Sequence, residues 1–206
     1  MSNIIQGSDD WVQSRCGIIT ASRIADILSK TKSGESASRA NYRAQLVAER
    51  MTGIVQKTFC NAAMDHGTEQ EPYARIAYEL DKGLMVDEVG MVKHPRIERA
   101  GASPDGLVSD CGLVEIKAPN TATHIGYLLD DKPPAKYVPQ MAWQILCTGR
   151  KWCDFVSFDP RMPPPEQYFC IRYEPDKEYL EMLEAEVMRF DSEIEFLIKK
   201  LMERRK

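Results

Sequence analysis

The sequence predicts an α/β (α+β) fold in which a central mixed β-sheet is flanked by helices. Helical patterns run from Ser8 to Lys82, and short apolar runs of strand character fill the stretch from Leu84 to Tyr173. The chain closes on Leu180, Leu183, Val187, Phe190, Ile194, Leu197, Ile198 and Leu201, spaced to form one apolar helix face. Helices before and after a strand-rich middle pack as layers on one sheet. With 206 residues and 43% hydrophobic content, one sizeable core is expected. No internal repeat or long linker divides the chain, so residues 1–206 are read as a single domain.

Ser8-Asp9-Asp10 ahead of Trp11 has the form of a helix N-cap with acidic residues in the first turn. Gly17 ends that short helix, and Thr20 or Ser22 caps a second one reaching about Leu28. Ser29 to Ser38 is small, polar and basic, and reads as a mobile loop. Helices follow over 40–52 and 68–82, stopped by Gly53 and Gly83. Val86 to Val92 reads as a strand with Gly90 at a bulge. Arg99 to Val108 and Leu113 to Ala118 read as two further strands, joined through Asp110-Cys111-Gly112 and ended by Pro119. Helices over about 121–130 and 136–148 are separated by Lys132-Pro133-Pro134, and Gly149 caps the second. Strands over 152–158 and 167–173 enclose a proline-rich loop. An amphipathic helix over about 175–204 completes the chain.

Several classes are disfavoured at once. No apolar run is long enough to span a membrane, and Met1 to Gly7 lacks the basic and apolar regions of a signal peptide, so a cytoplasmic setting is expected. The six cysteines contain no C-x-x-C pair, which argues against a zinc ribbon, a redox dithiol or an iron–sulfur cluster. The net charge of −4 counts against a uniformly cationic surface. It leaves room for a basic groove on an acidic exterior, because affinity for nucleic acid follows local charge.

The chemistry is carried by Ser103-Pro104-Asp105-Gly106 followed by Glu115-Ile116-Lys117. Residues two apart on a strand share a face, so Glu115 and Lys117 project together. Asp105 lies across a short hairpin from them. Two carboxylates and the backbone carbonyl of Ile116 make a hard oxygen donor set suited to Mg²⁺ or Mn²⁺, and a lysine beside it can position a water. That constellation fits metal-assisted hydrolysis of a phosphodiester. Taken alone, Pro-Asp-Gly is a turn and Glu-x-Lys a solvated strand face; their conjunction at short spacing is more specific.

Glu71 offers a third carboxylate, on a helix where Glu69 would face solvent, and His66 nearby reads as a ligand, a phosphate contact or a capping residue. Trp11 and Arg15 are four apart and share a helix face. Arg15 can fork onto a phosphate, Trp11 can stack on a base, and Thr20-Ala21-Ser22 opens a helix whose amides suit an anion. The alternative is a core Trp11 and a surface ion pair for Arg15. Gln140 reads either as an amide ordering the catalytic water or as a surface side chain.

These residues occur in one order, from Trp11, Arg15 and Ser22 through Glu71, Asp105, Glu115-Ile116-Lys117 and Gln140 to Phe158-Asp159-Pro160-Arg161-Met162. The pattern resembles the phage lambda exonuclease family, the YqaJ-like viral recombinases within the PD-(D/E)xK superfamily, over about residues 8–175. The resemblance implies a restriction-endonuclease-like core and a Mg²⁺-dependent, processive 5′-to-3′ exonuclease on double-stranded DNA. It implies a homotrimeric ring and a phage single-strand annealing protein as partner. By position, Asp105, Glu115 and the Ile116 carbonyl would bind metal, with Glu71 and His66 as further candidates, and Lys117 and Gln140 would place the water. Arg15 and Ser22 would hold the 5′-phosphate, Trp11 would lie near the terminal base pair, and Ser103 would touch the backbone. Thr123 stands where the family has an arginine after the lysine motif, and Lys32 replaces an arginine in the first loop, keeping charge without the fork. An endonuclease of restriction or repair type and a catalytically weak DNA-binding subunit are the alternatives.

Overall fold

The computed structural model describes residues 8–32, 34–56 and 62–204. The readings made above for Met1 to Gly7, Ser33 and Cys60 lie outside these residues. The helices are α1 (Asp9–Ser14), α2 (Ile24–Leu28), α3 (Ala37–Thr52), α4 (Ala62–Lys82), α5 (Thr121–Asp130), α6 (Val138–Thr148) and α7 (Lys177–Glu203). The strands are β1 (Ile19–Thr20), β2 (Lys30–Thr31), β3 (Gly34–Glu35), β4 (Val86–Asp87), β5 (Val92–Lys93), β6 (Ala100–Ala102), β7 (Gly106–Val108), β8 (Gly112–Lys117), β9 (Trp152–Phe158) and β10 (Tyr168–Tyr173). The predicted mixed α/β class holds.

The main sheet has the order β10-β9-β8-β7-β4, with β8 and β9 parallel and the other pairs antiparallel. Strand alternation sorts its side chains onto two covered faces. Val114, Ile116, Val156 and Phe158 pack with Ala74 and Tyr78 of α4. Leu113 and Phe155 pack with Tyr127 of α5 and with Met141 and Ile145 of α6. A sheet buried on both faces explains why β8 and β9 read as nearly continuous apolar runs. A second sheet, β1-β6-β5, contributes Ile19, Ala100 and Ala102 to a core shared with Ile24, Leu46, Trp143 and Phe190.

The strand expected over Arg99 to Val108 is two strands. β6 pairs with β1 and β5, whereas β7 pairs with β8 and β4, so the chain changes sheets across Ser103-Pro104-Asp105. Pro104 lacks the N–H that a continued ladder needs. The strand expected over Val86 to Val92 divides the same way, with Gly90 in the connection between β4 and β5 rather than at a bulge. The segment read as a mobile loop carries the β2–β3 hairpin, and Ser36 within it caps α3 by accepting from the Arg39 N–H. Thr20 makes no side-chain cap; it lies in β1, where its N–H donates to the Tyr42 hydroxyl. α4 begins before the expected position and runs past Pro72, which costs one hydrogen bond of the ladder. Burial of Ala74 and Tyr78 on the sheet sustains it.

Cys16, Cys111, Cys147, Cys153 and Cys170 are free thiols. No described helix is long and apolar enough to cross a membrane. The sheet also buries one charge that needs complete pairing. Asp154, on β9, accepts from the Tyr78 hydroxyl at 2.9 Å and from Arg172 Nε and Nη2 at 2.8 and 3.0 Å. Removing a donor from a buried carboxylate costs about 1–3 kcal/mol. Tyr78→Phe is therefore expected to lower Tm by about 2–12 °C for a chain of this size, measured by thermal unfolding; an unchanged Tm would mean that Arg172 alone satisfies Asp154.

Candidate active site

The candidate site forms where β7 begins. The β7–β8 register pairs Gly106 with Val114, so one step further Asp105 stands opposite Glu115. Gly106 is required there, since a Cβ would lie 2.0 Å from Val86 Cγ1. Asp105 Oδ2 accepts the Ile116 N–H at 2.6 Å. In a strand a residue's N–H and C=O point to the same side. The Ile116 carbonyl is therefore also directed toward the β7 side, beyond the point where that strand's pairing stops.

Glu115 is fully buried. Its Oε1 accepts from Gln140 Nε2 at 2.6 Å and pairs with the Lys117 ammonium; its Oε2 accepts from Gln144 Nε2 at 2.5 Å. Both amides come from one face of α6, one turn apart. The Lys117 ammonium also lies 5.3 Å from the Tyr137 ring centre. Burial opposes its charge, but Glu115 and Asp105 outweigh that and hold it above the usual lysine range. Asp105 moves the other way. Burial, and then the charge of Glu115, push its carboxyl well above the usual aspartate range, with Glu71 adding to the effect. Glu71 is half-buried, pairs with Arg75 at 2.9 Å and is raised by burial against the pull of Arg75 and Lys117. Arg75 also pairs with Glu88.

The donor set fits a small divalent cation. Asp105 and Glu115 repel each other in a site where Lys117 supplies the counter-charge to both, and the Ile116 carbonyl adds a neutral oxygen. Among the described residues, no group of three or more His, Cys, Asp or Glu side chains forms a closed cage. Mg²⁺ commonly takes one or two carboxylates and fills its other positions with water and substrate phosphate. His66 is not gathered into this cluster, and its Nε2 is buried without a hydrogen-bond partner among the described residues.

A second group of predicted residues meets beside the first. Arg15 lies over the Trp11 ring at 4.1 Å and reaches Ser22 Oγ at 3.4 Å. They line a cavity of about 360 Å³ together with Arg23, Tyr42, Gln45 and Glu49. Burial lowers the Arg15 pKa, opposed by Tyr42 and Glu49. Trp11 Nε1 donates to Ser103 Oγ at 3.2 Å, across 92 residues of sequence. Ser103 precedes Asp105 by two positions, so this bond ties the cavity to the carboxylates. Lys32 stands exposed just after β2, with no described contact to either group. Thr123 lies in the first turn of α5, its N–H accepted by Asn120 Oδ1. Sequence pattern alone does not mark Gln144; its spacing of four from Gln140 is the available signal.

An aspartate set against a Glu-x-Lys strand on a helix-covered mixed sheet defines the PD-(D/E)xK nuclease class. A family model described as the YqaJ-like viral recombinase domain matches residues 10–151. The chain is 48% identical to an alkaline exonuclease, LHK-Exo, from Laribacter hongkongensis, with a TM-score of 0.89 over 96% of this chain and 98% of that one. The same exonuclease in complex with dAMP aligns at 47% identity with a TM-score of 0.90, covering 96% of this chain and 98% of that chain. A phage-related exonuclease from Haemophilus somnus shares the fold at 14% identity, with a TM-score of 0.72 over 89% of this chain and 96% of that one. No curated protein sequence matches. The chain belongs to the YqaJ-like viral recombinase family.

The raised Asp105 carboxyl has a consequence for stability. Below the ordinary aspartate range both folded and unfolded chains hold the proton, and nothing is lost. As pH rises past that range the unfolded chain ionises more readily than the folded one, so the folded state loses stability until its own raised pKa is passed. Asp105→Asn, which keeps an acceptor for Ile116, is expected to raise Tm by a few degrees at pH 8 in chelator. The gain should vanish near pH 3. A lower Tm at pH 8 would contradict the repulsion.

Proposed function

We propose that the chain is a Mg²⁺-dependent exonuclease that degrades the 5′-ended strand of double-stranded DNA processively. It releases 5′-mononucleotides and leaves 3′ overhangs for phage-type recombination by single-strand annealing. The observation that carries this reading is the Trp11–Ser103 hydrogen bond. It fixes a cationic cavity, suited to a terminal phosphate, beside the carboxylates suited to cutting. The identity to an alkaline exonuclease, and the dAMP held by that relative, a 5′-mononucleotide, support it.

In this reading Asp105, Glu115 and the Ile116 carbonyl hold the cation, with Glu71 completing the metal or water site. Mg²⁺, or Mn²⁺ in its place, would supply Lewis-acid stabilisation of charge on phosphate oxygens. Lys117, kept protonated by its two carboxylate neighbours, orients the attacking water and donates toward the reacting phosphate. Gln140 steadies Glu115 and helps place that water. Arg15 and Ser22 grip the 5′-phosphate and set the register, so each cut advances the duplex by one nucleotide. Trp11 borders the terminal base pair, Ser103 reaches the backbone and Lys32 meets the approaching duplex with charge alone.

A homotrimeric ring would make processivity topological and let an overall acidic chain confine its attraction to a channel. The remaining parts of the reading are a single cytoplasmic domain and a phage annealing protein that receives the 3′ strand.

Linear duplex should be consumed in Mg²⁺ and spared in chelator, while covalently closed circular duplex stays intact. Cutting of the closed circle would favour a restriction- or repair-type endonuclease. Lys117→Ala should slow degradation by at least about a hundredfold while duplex binding persists; unchanged turnover would remove Lys117 from the chemistry.

A further inference from the structure

The cavity beside Arg15 contains a buried acid, Glu49, which by charge alone is the wrong neighbour for a phosphate. Its bonds explain its presence. Glu49 Oε2 accepts the Gly17 N–H at 2.8 Å, and its Oε1 accepts Gln45 Nε2 at 2.9 Å and the Gln56 N–H at 3.1 Å. Both oxygens are thus committed to donors. The adjacent Arg50 takes the other side of the same peptide segment, its Nε donating to the Gly17 carbonyl at 2.9 Å. Its remaining nitrogens pair with Asp191 at 2.7 Å and Glu195 at 2.8 Å on α7.

Gly17 therefore has its N–H held by one residue of α3 and its carbonyl by the next. Its φ of +68° suits glycine, and a Cβ there would lie 2.8 Å from Arg50 Cγ. Gly17 ends the turn after α1, two residues beyond Arg15, and the Ile18 N–H returns to the Arg15 carbonyl at 3.0 Å. Fixing Gly17 fixes where α1 stops and where Arg15, the residue that caps its C-terminal end, points.

We propose that Glu49 and Arg50 are positioning residues for recognition of the 5′ end. They clamp the Gly17 peptide so that Arg15 stays stacked on Trp11 and aimed at the phosphate, and Arg50 braces this clamp against α7. The inference rests on the reading of the Arg15 cavity as the 5′-phosphate site and adds the residues that set its selectivity.

The test compares kcat/KM on otherwise identical linear duplexes bearing 5′-phosphoryl or 5′-hydroxyl ends, and reads the ratio. Glu49→Gln presents one oxygen where two are needed, so an NH₂ must face a donor. Arg50→Lys keeps charge toward α7 but loses the fork that also reaches Gly17. Each is expected to lower the phosphoryl preference by about tenfold or more, the scale of small misplacements in oriented sites. Arg15→Ala should lower it too, and adding Glu49→Gln to Arg15→Ala should change the ratio no further. If Arg15→Ala lowers the ratio and neither clamp variant does, the clamp is overturned and the pocket stands. If Arg15→Ala leaves the ratio unchanged, the pocket reading itself fails. A rate loss equal on both ends, or a further fall in the double variant, would overturn action through Arg15. Should Glu49→Gln fail to fold, Arg50→Lys decides.

Discussion

A carboxylate removed from water must be met by donors, and the burial of Glu115 organises the centre of this molecule. Its two oxygens take an amide from Gln140, an amide from Gln144 and the ammonium of Lys117. Those partners dictate the surroundings. α6 must cross the sheet where its two glutamines face β8, and β8 must be straight enough to project Glu115 and Lys117 from one face. The apolar residues of the same strand, Val114 and Ile116, then fall onto the opposite face against α4. One buried charge and the two-residue period of a strand thus fix a helix, a strand and both layers around them.

Asp105 supplies the imbalance. Had the chain continued in one sheet through Ser103-Pro104-Asp105, this carboxyl would occupy an ordinary ladder position. The switch from β6 to β7 instead leaves it at a strand start, accepting one N–H and facing another acid. The arrangement sacrifices stability for a concentration of negative charge, a pattern expected where a site must bind a cation. The same switch brings Ser103 to Trp11, so a single irregular tripeptide connects the acidic cluster with the cationic cavity.

The parts readable in the sequence were those governed by local rules. Glu-x-Lys on a strand, the αL glycines after α3, α4 and α6, and the apolar face of α7 all follow from spacing or backbone preference. α5, α6, β9 and β10 fell within a residue or two of their expected limits. The switch between sheets could not be read, because Arg99 to Val108 carries strand character on both sides of Pro104 and only pairing partners distinguish them. Gln144 looked like any helical amide until β8 placed a buried carboxylate opposite it. Nothing local in the sequence marks Glu49 and Arg50, since their partner is a backbone peptide 32 or 33 residues away. Lys32 and His66 stand out by type and position, and contacts among the described residues do not join them to the carboxylates.

The central claim is that Asp105 and Glu115 form a charge-strained pair that a divalent cation relieves. Calorimetric titration of the metal-free protein with Mn²⁺ near neutral pH, in two buffers of different ionisation enthalpy, tests it without relying on activity. Binding should release protons, because burial and Glu115 raise the Asp105 pKa and a cation at that carboxylate lowers it again, so the apparent heat should differ between buffers. Binding with the same heat in both buffers, or no binding at millimolar Mn²⁺, would contradict the account.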